Sequence, residues 1–409
     1  MATPAPDERA AGESGGDMLR DLAAATIGHL ASFERASASE GEHRAADWIA
    51  DRLRQEGCEA HVEQERAHGT YWWPLGLLCG LGALAGLSRR RWVRLLAGGA
   101  SAALIADDIS GGRLWFRRWA LPRRPTWNVV AQVGDPRAER TVVLVAHHDA
   151  ARWSLLFSPH VVPWFGERFP RLLERSHTTP PVMLPVFGGP ALVALSGLLG
   201  SRLLRVAGIV VSLGGAATFT EIGSRSTVPG ANDNLSGVAV LLGVARLLRE
   251  RPTPGLRVLL VSTGSEESFM EGMQAFAARH FDSLPRERTH FVCVDTVGSP
   301  RLMQLEGEGM LVMRDFPEPF KSLISRAARN VGVELVRGLR FRNATDGLIP
   351  LKAGYPTVMI GSINRYKAPA NYHWPTDTPE NVELDTVAGC MRVCDETIRL
   401  LAADPAAGR

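Results

Sequence analysis

The hydrophobic positions of this chain recur in three rhythms. The first is helical. Residues 18–30 and 40–56 carry it, the second stretch with Ala45, Ile49 and Leu53 on one face and Gly57 as its stop. Residues 236–250 repeat it through Val238, Leu241, Leu242, Ala245 and Leu248. Residues 384–401 do so through Val387, Met391, Cys394, Ile398 and Leu401. The second rhythm is a short run of β-branched and aliphatic residues, seen at 128–133, 141–146, 256–262, 290–294 and 357–360, with a shorter strand at 58–64. Runs of this kind predict strands buried on both faces of a sheet. The loop between 128–133 and 141–146 is short and opens Gly134-Asp135-Pro136, which predicts that these two strands pair antiparallel.

The third rhythm is plain apolar length. Residues 71–87 and 92–106 are almost uncharged and are split by Ser88-Arg89-Arg90-Arg91. Residues 181–200 and 203–220 are apolar and Gly-rich, split by Ser201-Arg202. Tyr71, Trp72 and Trp73 open the first pair, and Arg113, Trp115, Arg117, Arg118 and Trp119 follow it. Two apolar segments around a basic turn, flanked by tryptophans, resemble a transmembrane hairpin with aromatic belts, and small residues suit close helix packing in lipid.

The expected fold is therefore α/β: a three-layer αβα sandwich with a mixed, mostly parallel sheet, plus two inserted hydrophobic helical hairpins, about four transmembrane helices. The sandwich is expected from residues 18–70, 121–178 and 221–409, with the inserts at 71–112 and 179–220. Residues 1–17 are Ala-, Pro-, Gly- and acid-rich, lack a secretory-signal pattern and are expected to be disordered.

Composition narrows the function classes. A net charge of +3, from 46 basic and 43 acidic residues, gives no basis for a nucleic-acid partner. Cys58, Cys79, Cys293, Cys390 and Cys394 are scattered without a CxxC and read as buried apolar fillers.

The chemistry gathers where strands end. The run 142–146 feeds directly into His147-His148-Asp149, and ligands in open α/β sheets sit beyond the carboxyl ends of such strands. Four more clusters occupy comparable places: Ala231-Asn232-Asp233-Asn234-Leu235-Ser236-Gly237 at a helix start, Ser265-Glu266-Glu267, Asp295, and Tyr372-His373-Trp374-Pro375-Thr376-Asp377-Thr378. Each alone is weak. Together, two histidines and several carboxylates at one sheet edge are donor types that zinc accepts.

This order of motifs resembles the di-zinc exopeptidases typified by secreted bacterial leucyl aminopeptidase, with aminopeptidase Y and glutamate carboxypeptidase as relatives. The helix containing Glu42-His43-Arg44-Ala45-Ala46-Asp47-Trp48-Ile49 also looks like that family's opening helix. The resemblance implies two zinc ions, one held by His147 and Asp295, the other by Glu267 and His373, with Asp233 bridging both. It implies Asp149 as the residue orienting His147, Glu266 as general base, and often a cis peptide bond after the bridging aspartate. The implied reaction is hydrolysis of a peptide or protein terminus by a metal-activated water. The pattern departs at Ser265, where a small apolar residue is usual, at His148, where tyrosine is common, and at Gly347, where a histidine often follows the aspartate. His148 is left without a role. Arg342, Asn343 and Tyr372 are the candidates for oxyanion donor.

Rival readings share much of this pattern. A glutaminyl cyclase uses similar ligands around a single zinc, and a carboxypeptidase differs only in the substrate terminus it meets. A non-catalytic receptor or scaffold would have lost ligands that this chain keeps. Both inserts leave the domain at the end of the sheet where His147 sits, so the metal site is expected to face a bilayer, with the protein integral to the membrane. Arg89, Arg90, Arg91 and Arg202 favour cytoplasmic turns, whereas Arg113, Arg117, Arg118, Arg123 and Arg124 crowd the domain side, so both orientations stay open.

Overall fold

The computed structural model describes residues 6–404 and residue 408. In chain order the elements are α1 (Pro6–Leu30), α2 (Glu40–Gln55), β1 (Glu59–Ala67), α3 (Trp72–Leu87), α4 (Arg91–Ile109), α5 (Trp115–Ala120), β2 (Arg124–Gly134) and β3 (Thr141–His147). Then come α6 (Val161–Arg168), α7 (Pro170–Arg175), α8 (Leu184–Leu199), α9 (Arg202–Ser224), α10 (Ser236–Glu250), β4 (Arg257–Thr263), α11 (Glu271–His280) and β5 (Thr289–Val294). The last part holds β6 (Arg301–Gln304), β7 (Gly307–Glu308), β8 (Arg314–Asp315), α12 (Glu318–Asn330), β9 (Arg340–Phe341), α13 (Leu348–Lys352), β10 (Thr357–Ile363) and α14 (Leu384–Ala403). Residues 1–5, part of the stretch expected to be disordered, lie outside the described residues; from Pro6 onward that stretch is the start of α1.

A seven-stranded mixed sheet runs in the order β1-β2-β4-β3-β5-β10-β6, and β8-β7-β9 form a small second sheet. The unbroken apolar character of β3 has a direct cause, since both its faces are covered. Val142, Leu144 and Ala146 pack with α1, α2, α10, α12 and α14, while Val143 and Val145 pack with α11, α13 and the ends of the hydrophobic hairpins.

The main strand expectation that fails is the antiparallel pair 128–133 with 141–146. β4 lies between β2 and β3, antiparallel to the first and parallel to the second. The loop after Gly134 does not turn back at once. It crosses the start of β4, with the Asp135 amide donating to the Leu256 carbonyl and the Arg257 amide to the Arg140 carbonyl. Six intervening residues are ample to skip one strand spacing of about 4.8 Å. The sheet is also parallel only in its centre, between β4, β3, β5 and β10, and antiparallel at both sides. The direction of β2 is nevertheless as expected: Val129 and Ala146 are both register partners of Ser262, so β2 begins at the edge where β3 ends.

Helices α3, α4, α8 and α9 pack as a bundle on that side. Glycines let the backbones meet. A Cβ on Gly197 would lie 2.6 Å from the Arg91 carbonyl oxygen, and one on Gly208 would lie 2.7 Å from the Val193 nitrogen. The few charges serve helix ends: Arg205 donates to the carbonyls of Gly86 and Leu87, and Arg94 to those of Ser88 and Arg89. The outer surface is leucine-rich, with Leu84, Leu96, Leu198 and Leu203 exposed. Among the described residues only Arg202–Ser224 is long and apolar enough, by length and composition, to cross a membrane. Trp72–Leu87 and Leu184–Leu199 are apolar but shorter.

Candidate active site

His147 is the last residue of β3, and Asp295 directly follows β5, its parallel neighbour. Asp233 lies in the loop before α10, and Glu266-Glu267 in the loop after β4. The sheet thus converges four segments on one point, and the 372–378 loop supplies His373 from above. His147 Nε2 is 3.2 Å from Asp233 Oδ1 and 3.8 Å from Asp295 Oδ2. His373 Nε2 is 3.1 Å from Asp233 Oδ2 and 3.3 Å from Glu267 Oε2. One oxygen of Asp233 therefore faces each histidine. The groups His147–Asp233–Asp295 and Asp233–Glu267–His373 each bring their donor atoms within 4.8 Å of one another, as does His147–Glu266–Glu267.

The donor set fits divalent cations on electrostatic grounds. Asp233, Glu266, Glu267 and Asp295 are all buried around a cavity of about 20 Å³, and two protonated histidines would still leave an excess of negative charge. Glu267 Oε1 is buried without a hydrogen-bond partner. Burial raises Glu266 well above the usual carboxylate range, with Asp346 and Glu267 adding to the shift against the opposing pull of His147. Burial likewise pushes Asp295 to about 7. Burial works to lower His373, but Glu267 and Asp233 outweigh it and push the imidazole up to about 10.

Asp149 does two jobs. Its Oδ1 lies 3.4 Å from His147 Nδ1, the placement that orients a ligand imidazole. It also accepts the backbone amides of Glu266 at 3.0 Å and Glu267 at 3.1 Å, so it holds the loop that carries both glutamates. Ser37, between α1 and α2, donates to the same carboxylate at 2.6 Å. His148 is core. It contacts Ser262 Oγ at 2.9 Å, and burial lowers its imidazole to about 3, so it is neutral.

The Asn-Asp-Asn motif ties the start of α10 to the end of β5 and the loop after it. Asn232 Oδ1 accepts from the Gly298 amide, Asn234 Oδ1 from the amides of Gly237 and Thr296, and Asn234 Nδ2 donates to the Val294 carbonyl. Gly237 is required there, because a Cβ would lie 2.4 Å from Asn234 Oδ1. The Asp233–Asn234 peptide bond is cis. Ser265, Thr296 and His373 all adopt positive φ beside a site residue or at one, the kind of local strain that clusters at functional sites.

Several residues of the site had no role assigned from the sequence. Asp377 accepts the amides of Asn232 at 2.7 Å and Asp233 at 3.1 Å. Glu42, fully buried on α2, accepts from Trp127 N at 3.1 Å, Ser265 Oγ at 3.2 Å and the Thr126 hydroxyl, and so props the loop before Glu266. Arg35, also buried, reaches the carbonyls of His148 and Pro229 and clamps the strand end to the Asp233 loop. Asp377 could have been suspected from its motif. Glu42 offered only its place in the helix that looks like the family's opening helix, with no role attached, and Arg35 offered no signal. Of the oxyanion candidates, Asn343 and Tyr372 line the inner cavity, whereas Arg342 lines only a larger cavity outside it.

The sequence profile described as Peptidase family M28 matches residues 220–398, a span with Asp233, Glu266, Glu267, Asp295 and His373 but not His147 or Asp149. The uncharacterized protein YfbL of Escherichia coli (strain K12) is 28% identical over 243 residues, 53% of this chain and 72% of that protein. A glutaminyl cyclase from Tannerella forsythia superposes with a TM-score of 0.54 at 15% identity, over 93% of this chain and 98% of that one. A leucine aminopeptidase precursor from Bacteroides thetaiotaomicron VPI-5482 does so with 0.54 at 15% identity, over 93% and 96%. A Zn-dependent exopeptidase from Parabacteroides distasonis ATCC 8503 gives 0.53 at 15% identity, over 94% and 97%. At such identities these structures establish a shared fold, and the M28 profile covers every candidate ligand except the one at the end of β3.

Proposed function

We propose that this chain is a membrane-anchored zinc exopeptidase of the M28 type, acting as an aminopeptidase on peptides or protein termini. The observation that carries the reading is a pair of three-donor groups that share Asp233, with Glu266 beside them. In this reading His147, Asp233 and Asp295 hold one zinc, and Asp233, Glu267 and His373 the other. Bound zinc supplies Lewis-acid polarisation of the scissile carbonyl and an acidified water. Glu266, with a carboxylate oxygen 3.9 Å from His147 Nε2, would take a proton from that water and deliver it to the leaving amine. Asp149 keeps His147 and the Glu266–Glu267 loop in register, and Tyr372, stacked on His373 with ring centroids 3.9 Å apart, limits the motion of that imidazole.

Anchoring is supported by the glycine-lined bundle, its exposed leucines, and exposed tryptophans at both ends, Trp73 and Trp115 near the domain and Trp92 at the far turn. Helices of 16 to 23 residues extend about 24–35 Å, the scale of a bilayer core. A second reading, glutaminyl cyclase activity, is favoured by the cyclases among the structural neighbours. Metal analysis and product identification separate the two. Two zinc ions per chain and release of free amino acids from a peptide panel support the exopeptidase. One zinc and pyroglutamyl product from a Gln-led peptide would replace it with the cyclase.

A further inference from the structure

The segment between the end of β3 and the second hairpin is built unlike the rest of the domain. Residues 154–183 form a short turn, α6 and α7, yet their apolar side chains face outward. Trp164 is 64% exposed, Leu155 60% and Leu172 58%, with Val161, Phe165 and Phe169 exposed beside them. Single exposed apolar residues are ordinary; a contiguous run marks an interaction surface. On the other flank, α5 presents Trp115 and Trp119, the latter 84% exposed. Both pieces adjoin the domain-side ends of the hydrophobic helices. α5 follows α4, the 154–183 segment leads into α8, and exposed Trp73 opens α3 near the end of α9. Exposed Arg113, Arg118, Arg168, Arg171 and Arg175 are interspersed among these apolar groups and outnumber the exposed acids among them, Glu167 and Glu174. Tryptophan and phenylalanine on one side with arginines alongside is the composition of elements that lie in a headgroup layer.

Beneath this surface lies a cavity of about 420 Å³. Its inner end is Glu266, Glu267 and His373. Its outer wall is Phe157, Val162 and Met183, contributed by the same segment and the approach to α8. Tyr71, at the foot of the first hairpin, closes one side and stacks on Phe269, with ring centroids 4.6 Å apart, two residues after Glu267.

Building on the membrane-anchored reading above, we propose that α5 and residues 154–183 form a collar resting on the surface of an anionic bilayer, so that the cavity receives the apolar end of a peptide delivered from the lipid. Continuity with the leucine-rich bundle and the interspersed arginines select a lipid surface, rather than a second copy of the chain, as what covers the collar. Substrate held at the membrane would then reach Glu266 without leaving the interface.

The test uses the full chain, zinc-loaded, in nanodiscs of 3:1 phosphatidylcholine to phosphatidylglycerol. With lipids brominated near the headgroup, fluorescence quenching is expected to be larger in the parent than in Trp164→Phe. Equal quenching in the two overturns the collar. In the second arm, a palmitoylated peptide is compared with its unacylated twin in the parent and in Trp164→Glu/Leu172→Glu. The parent is expected to favour the acylated peptide at least tenfold in kcat/KM. The double variant is expected to lose most of that preference while keeping its rate on the free peptide within twofold. An undiminished preference overturns the proposal. If neither peptide is cleaved by any form, the peptidase reading fails, and the quenching arm still decides the collar.

Discussion

Two buried regions of this molecule solve opposite problems. At the carboxyl edge of the sheet, four carboxylates and two histidines crowd around a cavity of about 20 Å³, held by backbone amides, Asp149, Asp377 and Glu42. A few turns away, the α3–α4–α8–α9 bundle has a mostly apolar interior with only a few buried polar groups such as Ser101, Ser196 and Ser212, is packed through glycines, and exposes many of its leucines. The first region concentrates carboxylates, a set that protons or a bound cation can balance; the second keeps its few buried charges, such as Asp108 paired with Arg117 at the foot of α4, to its ends and presents an apolar exterior. The comparison shows that burial has no single meaning in one chain. Polar burial marks the chemistry, and apolar exposure marks the surroundings.

The most severe way to break the first region is Glu266→Gln. Turnover is expected to fall about 10²–10⁴-fold with zinc content unchanged, as read by peptide hydrolysis and elemental analysis. A near-normal rate with full zinc would remove Glu266 from the role of base. Chelation comes next. Stripping metal is expected to lower the melting temperature, with zinc restoring it, because a ligand bound only by the native state at a thousandfold excess over its Kd stabilises by about 4 kcal/mol. A melting curve indifferent to chelator would contradict the charge argument.

The bundle is tested by placing a charge outside and bulk inside. Leu96→Glu, on the exposed face, is expected to impair membrane integration by about 2–3 kcal/mol, measured by partitioning into the membrane fraction. Were the face bathed in water, the same change would raise solubility instead. Gly197→Leu is expected to destabilise the bundle by about 1–3 kcal/mol in a detergent melt, because its side chain would meet the Arg91 carbonyl.

The smallest effect sharpens the border between the regions. Burial, with Asp149 nearby, pushes Glu42 up from 4.5 to about 8. Between those pH values the native protein holds a proton that the unfolded chain releases, so Glu42 costs stability as pH rises through that window and costs nothing below it. Glu42→Gln is therefore expected to flatten the fall in melting temperature between pH 5 and 8. An unchanged slope would mean that Glu42 ionises freely in the fold.

What could be read from the chain itself was whatever repeats locally. Residues 236–250 are α10 to the residue, and the strands at 256–262, 290–294 and 357–360 appear within a few residues at each end. Their periodicity is set by neighbours in sequence. His147, Asp233, Glu266, Glu267 and Asp295 could be placed at one edge because each ends or follows a strand or opens a helix, while His373, in the loop between β10 and α14, and the role of each residue came only from the family resemblance. The strand order was not legible. β2 and β3 are close in sequence, but β4, more than a hundred residues after β3, intervenes, since strand neighbours are chosen by packing on both faces. The supporting shell was hidden for the same reason: Arg35, Ser37 and Glu42 act across more than eighty residues through hydrogen bonds that no local pattern records. The sequence by itself determined most of the elements, the polar side chains that gather at the sheet edge, and the long apolar runs that become α3, α4, α8 and α9. Only the tertiary structure decided that β4 runs between β2 and β3, and that Arg35 and Ser37 reach the strand end and the Asp149 carboxylate from the other side of the core. Both outcomes depend on contacts between distant segments, which form only when the whole core closes.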